Sequence, residues 1–299
     1  MLNSPLNNLG MRQKNSSTTR SFSGRFRKCD VFQRAVKGFG IHKYVAIAGV
    51  AARQALLQRA TIFGRIAFLG LILFVFSRLW EVVLGQSPVE AAHARNMLWY
   101  LAITEWVLMS IPSVYLDVEK DIRSGDIVYR LPRPACYLAA QIAEGIGALA
   151  VRSVFLGTAG FAFAYLLAGG LPDHPLALLV ALPMGLAAAG LGTIMYCAIG
   201  LMAIWFQDVS PIYWVWQKLA FVFGGLLIPL DFYPSWLRTA AEFTPFHALL
   251  YGSGRMALGC NGTIALDSAL RLAAWTGIAI LVLVFIYRKG LRELSINGG

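Results

Sequence analysis

Residues 115–134 hold eight charged side chains, in a chain of 299 residues of which only 14% are charged. Asp117, Glu119, Asp121 and Asp126 alternate there with Lys120, Arg123, Arg130 and Arg133, so the segment is nearly neutral in sum. Mixed charge at that density suits a docking surface, where complementary pairs fix register and partner choice. Leu116, Ile122 and Ile127 offer apolar contact, Ser124-Gly125 permits a turn, and Pro132 and Pro134 stiffen the exit. The alternative is a solvated loop whose charges pair among themselves.

A second set of charges stands in apolar surroundings: Glu105, Glu144, Arg152 and Lys218. Inside a bilayer such groups face protein or water and mark relays, ligand sites or helix-to-helix ties. Glu144 and Arg152, about two helical turns apart, share a face without touching. Glu105 and Arg152 are the strongest candidates of this set, with pairing between helices favoured over contact with substrate. Lys218 lies near a helix end, where a long stem lets its ammonium reach water. Enzyme chemistry has no such foothold. The sequence contains no HExxH, no GxSxG and no GxxxxGK[ST] phosphate loop. Cys29, Cys136, Cys197 and Cys260 are too widely spaced to read as a metal site or disulfide framework. No catalytic residue, bound cofactor or metal is therefore expected on this chain.

The elements that must position these charges are membrane helices. With 58% hydrophobic residues the chain cannot cover itself with polar surface, and a span needs about 20 apolar residues. Six candidates fit: 62–84, 97–116, 137–168, 175–205, 213–230 and 269–287. The fifth is the shortest and is interrupted by Gly224, Gly225 and Pro229, so five spans plus a re-entrant hairpin is the competing count. The net charge of +11 is distributed along the chain in a way that argues against nucleic acid. Twelve of the 26 Lys and Arg precede residue 66, and others cluster in 115–134 and in the tail at Arg288, Lys289 and Arg292. The loop at 169–174 has none. This bias puts both termini and the charged loop in the cytoplasm, although Arg238, Arg255 and Arg271 then lie on the outer side. Residues 1–40 read as a disordered basic cytoplasmic arm, with an organelle leader as the alternative. From 43 to 65 an amphipathic helix suits the inner headgroup layer, with Val45, Ala48, Ala52 and Ala55 on its apolar side. The small residues Gly185, Ala188, Ala189 and Gly192 suit close helix packing, within this chain or against a second copy.

Between the last two spans, Pro229, Pro234 and Pro245 punctuate a run decorated by Tyr233, Trp236, Phe243, Phe246 and Tyr251. Two short helices, 234–243 and 245–258, are expected at the outer interface, where aromatic rings are favoured. This arrangement resembles the type-2 permease subunits of ABC transporters, and in particular a bacterial branch with a D-x-x-x-G-x-x-x-x-x-L-x-R-P loop. Asp121, Gly125, Leu131, Arg133 and Pro134 carry that likeness here, together with the run 225–237, Thr244-Pro245-Phe246 and the tail RKGLRELSINGG. It extends over roughly residues 45–299.

The resemblance implies an all-α polytopic membrane protein of six transmembrane helices with an N-terminal amphipathic interfacial helix. It also implies a cytoplasmic coupling helix between spans 2 and 3, and an outer re-entrant segment between spans 5 and 6. Such a subunit pairs with a second copy or a related permease, and with separate ATPase chains that hold ATP and Mg. The 115–134 loop would fit a groove of the ATPase, and the re-entrant helices would form the exit gate of an exporter in the bacterial inner membrane. The runner-up is a secondary transporter or polytopic membrane enzyme independent of ATP, with Glu105 relaying protons. A third reading is a membrane scaffold.

Overall fold

A computed structural model describes residues 40–84, 88–131, 135–259 and 261–297, and those from 42 onward belong to one compact unit. The expected arm up to residue 39, Pro132, Arg133, Pro134 and Cys260 lie outside the described residues. Every regular element among the described residues is helical. In chain order these are α1 (Ile41–Leu57), α2 (Arg59–Leu84), α3 (Pro88–Ser110), α4 (Val114–Arg123), α5 (Asp126–Arg130) and α6 (Tyr137–Ala168). They continue with α7 (Leu178–Leu201), α8 (Ser210–Phe223), α9 (Ser235–Glu242), α10 (Gly252–Leu258) and α11 (Gly262–Asn297).

Five of the described segments are long and apolar enough to cross a membrane: Arg59–Val83, Ala92–Arg123, Tyr137–Ala168, Pro175–Ile204 and Gly262–Glu293. The second is central, with 83% of its most apolar stretch buried, against 22% for the first and 17% for the last. In α3, Tyr100, Leu101, Ala102 and Ile103 are fully buried, and α2, α6, α7 and α10 all pack against it. Small residues let them come close. The Trp106 indole sits between Gly157 of α6 and Gly185 of α7, and its Nε1 donates to the Ser153 carbonyl at 2.8 Å. A Cβ at either glycine would fall within 3 Å of that ring. Gly185, Ala188, Ala189 and Gly192 are all buried within this chain, Gly192 against Ile111 and Leu249. Their close packing is therefore internal.

The expected span 213–230 takes a different form. Its helix, α8, has 14 residues, about 21 Å of rise against a hydrocarbon core of about 30 Å. Gly225 then turns the chain at φ 61°, where a residue with a Cβ would be strained. This turn is fixed to the middle of α3: Tyr100 Oη donates to the Gly225 carbonyl and Thr104 Oγ1 to the Leu226 carbonyl at 2.8 Å. Beyond it come α9 and a continuous helical stretch in which a π-turn, His247–Tyr251, leads into α10. Gly254 brings α10 against Tyr100 and Thr104, so α3 holds both ends of the segment.

The amphipathic helix is shorter than its pattern suggested. It ends at Leu57, and Gln58 breaks it from α2. On its apolar side Val45 is 62% exposed, while Ala55 is buried against the rest of the chain and Ala48 partly so. The reason is close approach: the Ala48 carbonyl lies over Gly147 of α6, where a Cβ would come within 2.1 Å of it. Small residues win that face, and the larger Val45, Val50 and Leu57 remain exposed.

Candidate functional site

The charged loop folds as two short helices. α4 follows α3 after Pro112, and Gly125, at φ 76°, makes the turn into α5. Val114, Tyr115 and Val118 form the buried stripe of α4, which packs across the end of α7. Gly200 makes that approach possible, because a Cβ there would lie 2.8 Å from Val118 Cβ and 2.9 Å from the Tyr115 carbonyl. Tyr115 also stacks on Tyr213 of α8 at 4.2 Å between ring centroids, and Tyr196 of α7 meets both rings edge-on. α4 is therefore keyed into α7 and α8 together.

Two acids expected on the docking surface are instead buried. The Asp121 carboxylate accepts from Gln141 Nε2 at 2.9 Å and from Tyr137 Oη at 3.1 Å, and pairs with Arg130 at 2.9 Å. Glu119 pairs with Arg123 one turn later at 3.2 Å. A carboxylate turned inward needs such partners, since an unpaired buried charge costs several kcal/mol. Asp121 thus ties α4, α5 and α6 together and is no longer free to meet another protein. Ile127, expected to offer apolar contact, is buried as well. The exposed set is Leu116, Asp117, Lys120, Arg123, Ser124, Asp126, Val128 and Tyr129, the last at 77% exposure. Val128 and Tyr129 were not singled out from sequence. Their position after a turn glycine, on the face of α5 opposite Ile127, is the signal that could have found them.

Beside this surface a shallow open cavity of about 620 Å³ lies between α4 and the start of α8, lined by Leu116, Lys120, Arg123 and Asp208. Hydrogen bonds from the Ser210 side chain and backbone amide hold the Asp208 carboxyl below its ordinary range, with Arg123 adding to the effect. On the other side of α4 a cavity of about 770 Å³ is lined by α1, α4, α5 and α6, and Asp117, Glu144 and Arg152 share it. Glu144 and Arg152 thus do open onto one space. Glu105 is 2% exposed on α3, away from both cavities. Lys218 is exposed, its ammonium 5.3 Å from the Phe221 ring.

At the opposite end, Tyr251 Oη donates to Asp231 at 2.7 Å, and Arg238 pairs with Asp231 and Glu242. Arg271 pairs with Asp267, and Arg255 lies over the Tyr251 ring. All three arginines that counted against the expected orientation thus have local partners. Pro229, Tyr233, Pro234, Trp236, Pro245 and Phe246 all belong to this segment; Phe246 packs on Trp216 at 4.5 Å, whereas Trp236 is 71% exposed. Where the chain returns from α6, Asp173 accepts from Arg95 and Asn96 near the start of α3.

Five membrane-length helices, a charged pair of short helices keyed into α7 and α8, and a short helix whose following turn is pinned to α3 form one architecture, and its sequence matches the profile of the ABC-2 family transporter proteins over residues 93–298. The chain belongs to that family. It is a multi-pass membrane protein, a permease of an ABC transporter, in a family of generally non-catalytic transport components that associate with ABC ATPase subunits. The match begins within α3, so α1 and α2 precede it. No curated protein matches the chain.

Proposed function

We propose that this chain is the permease subunit of an ATP-driven exporter in a bacterial inner membrane, with both termini cytoplasmic. A separate ATPase binds ATP and Mg, and docks on α4 and α5. The observation that carries this reading is the keyed contact at Gly200: a push on α4 is delivered to α7 and, through it, to α10 and α11. Arg123, Lys120, Asp126, Leu116, Val128 and Tyr129 form the contact face, which mixes charge with apolar surface as a partner groove requires. Glu119, Asp121 and Arg130 support that face from within the loop. α1 lies in the inner headgroup layer, and α8 to α10 form a re-entrant unit beside the exit, working with the same unit of a second permease. Gentle solubilisation from native membranes followed by mass spectrometry tests this. A stoichiometric ATPase on the wild type, lost on Arg123→Glu with the chain still inserted, is expected; recovery of the chain alone from membranes whose other complexes survive refutes it.

One observation favours a second reading. Glu105 is buried in the central helix with no ion-pair partner among the described residues. A proton-coupled carrier would use such a group. Transport abolished by Glu105→Gln but untouched by Arg123→Glu would favour that carrier over the ATP-driven exporter.

A further inference from the structure

The larger cavity has a property that coupling to an ATPase does not use. Arg152 reaches it from α6, and its Nη1 is buried with no hydrogen-bond partner among the described residues. Buried guanidinium N–H groups are rarely left so, because the lost hydration is not replaced. The charged groups that act on Arg152 are Arg65, which repels it, and Asp117, which attracts it. Arg65 itself donates to the Met109 carbonyl. Arg152 therefore stands between a repelling Arg65 and an attracting Asp117, and the Arg130–Asp121 pair on the same wall is already satisfied internally. A phosphate oxygen matches the planar donor set of an arginine.

The cavity is not simply basic. Asp117 and Glu144 line it as well, with Gln54 of α1 and Gln58 just beyond it supplying amides. Walls of both signs fit a ligand that carries a phosphate and an ammonium a few bonds apart. One flank is apolar and open: Val50 lines the cavity and is 65% exposed. Depth agrees with a lipid source. α1 crosses α6 at Gly147, and Arg152 is five residues further along, about 7.5 Å of helical rise. If α1 marks the headgroup layer, the Arg152 side chain reaches back into that layer from below.

We propose that this cavity binds a headgroup of the phosphoethanolamine type, with Arg152 anchoring the phosphate and the ammonium on the side of Asp117 and Glu144. The occupant is a membrane phospholipid whose acyl chains leave past Val50. The assignment rests on the membrane placement of α1 proposed above and is independent of the ATPase.

The test is native mass spectrometry of the delipidated permease alone, titrated with dioleoyl phosphatidylethanolamine, phosphatidylcholine or phosphatidylglycerol, and separately with free phosphoethanolamine. Wild type and the control Arg78→Gln, an exposed arginine in an ion pair with Glu81, should retain the ethanolamine lipid in preference to the other two. Arg152→Gln should lower that retention at least about tenfold, while Arg152→Lys keeps part of it. Should Arg152→Gln fail to fold, Arg152→Lys and Glu144→Gln carry the comparison, each expected to weaken the preference for the ethanolamine lipid. Equal retention by wild type and all folded cavity variants overturns the site, and equal retention of phosphatidylglycerol overturns the two-signed headgroup. Binding of free phosphoethanolamine without the lipid keeps the chemistry and overturns the lipid source. ATPase binding is read on separate samples, so a failed coupling surface and a failed lipid site give different results.

Discussion

Two regions of short helices among the described residues, α4–α5 and α8–α10, use the same fastening with opposite surfaces. At the charged end Asp121 accepts from the Tyr137 hydroxyl and pairs with Arg130; at the aromatic end Asp231 accepts from the Tyr251 hydroxyl and pairs with Arg238. The Asp121 side chain is 7% exposed and that of Asp231 is 37% exposed. What remains outside differs as well: Lys120, Arg123 and Asp126 at one end, Phe232, Trp236 and Phe243 at the other. A buried fastening with charged surroundings suits an element that must transmit force to a water-soluble partner. A half-exposed fastening under aromatic rings suits an element that shifts within an interface, where such rings are favoured.

The most direct way to break the comparison is to remove both aspartates. Asp121→Ala leaves the buried Tyr137 and Gln141 without their acceptor and the partly exposed Arg130 without its partner, and should cost about 2–3 kcal/mol. Asp231→Ala removes a pair open to solvent and should cost about 1 kcal/mol or less. Thermal unfolding of the two variants in the same detergent checks the order. Equal losses would mean that the two fastenings do not differ in kind.

Gly147→Val and Gly200→Val sharpen the transmission argument. Each inserts a side chain where a Cβ alone would come within 3 Å of a neighbouring backbone, and each should lose about 1–3 kcal/mol by overpacking. Their functional signatures should separate. Gly200→Val lifts α4 from α7 and should uncouple ATP hydrolysis from transport, whereas Gly147→Val displaces α1 and should leave hydrolysis coupled. An ATPase and transport assay on both variants checks this.

The history of these two ends in the sequence is uneven. The bounds of α6, Tyr137–Ala168, coincide with the apolar run 137–168, because a long hydrophobic stretch between a Pro-rich exit and a double glycine has one helical solution. Burial of Asp121 was not legible. Its partners Tyr137 and Gln141 lie 16 and 20 residues away in a different helix, and no local pattern records that contact. The weakness of the fifth span was visible in Gly224 and Gly225, but its cause was not. The turn is held by Tyr100 and Thr104, more than 100 residues earlier, whose hydroxyls look in sequence like ordinary polar positions in an apolar helix. Glycines in α6 and α7 read as a packing stripe, and only the folded chain identifies Trp106 as what two of them receive.

A pH titration distinguishes the ends without mutation. His247, 7% exposed at the aromatic end, packs against Tyr251 at a tilt, 4.9 Å between centroids. Burial lowers its imidazole to about 4 from 6.5; Arg271 and Arg255 act in the same direction, and Glu242 and Asp267 oppose them. The folded state therefore favours the neutral ring, and the unfolded chain takes up the proton first as pH falls. Stability from this residue is complete above pH 6.5 and declines down to about pH 4, by at most about 3 kcal/mol. His247→Phe should flatten thermal stability across that window. A wild-type melting temperature independent of pH between 6.5 and 4 would show that the ring is solvated in the folded state.

The smallest effects on stability should come from the exposed side chains, and there the two surfaces part most cleanly. Tyr129→Ser and Trp236→Ser both remove a large side chain that is more than two thirds exposed, so each should change folding free energy by no more than about 0.5 kcal/mol. Their consequences should not overlap. Tyr129→Ser should reduce ATPase recovery on the solubilised permease and leave transport by the residual complex unaltered per complex. Trp236→Ser should leave ATPase recovery intact and slow transport, because the ring it removes sits on the segment proposed to move beside the exit. Quantifying the bound ATPase and normalising transport to it separates the two. If Trp236→Ser lowered ATPase recovery while Tyr129→Ser did not, the faces would be assigned to the wrong ends, and the orientation inferred from the positive charges would have to be reversed.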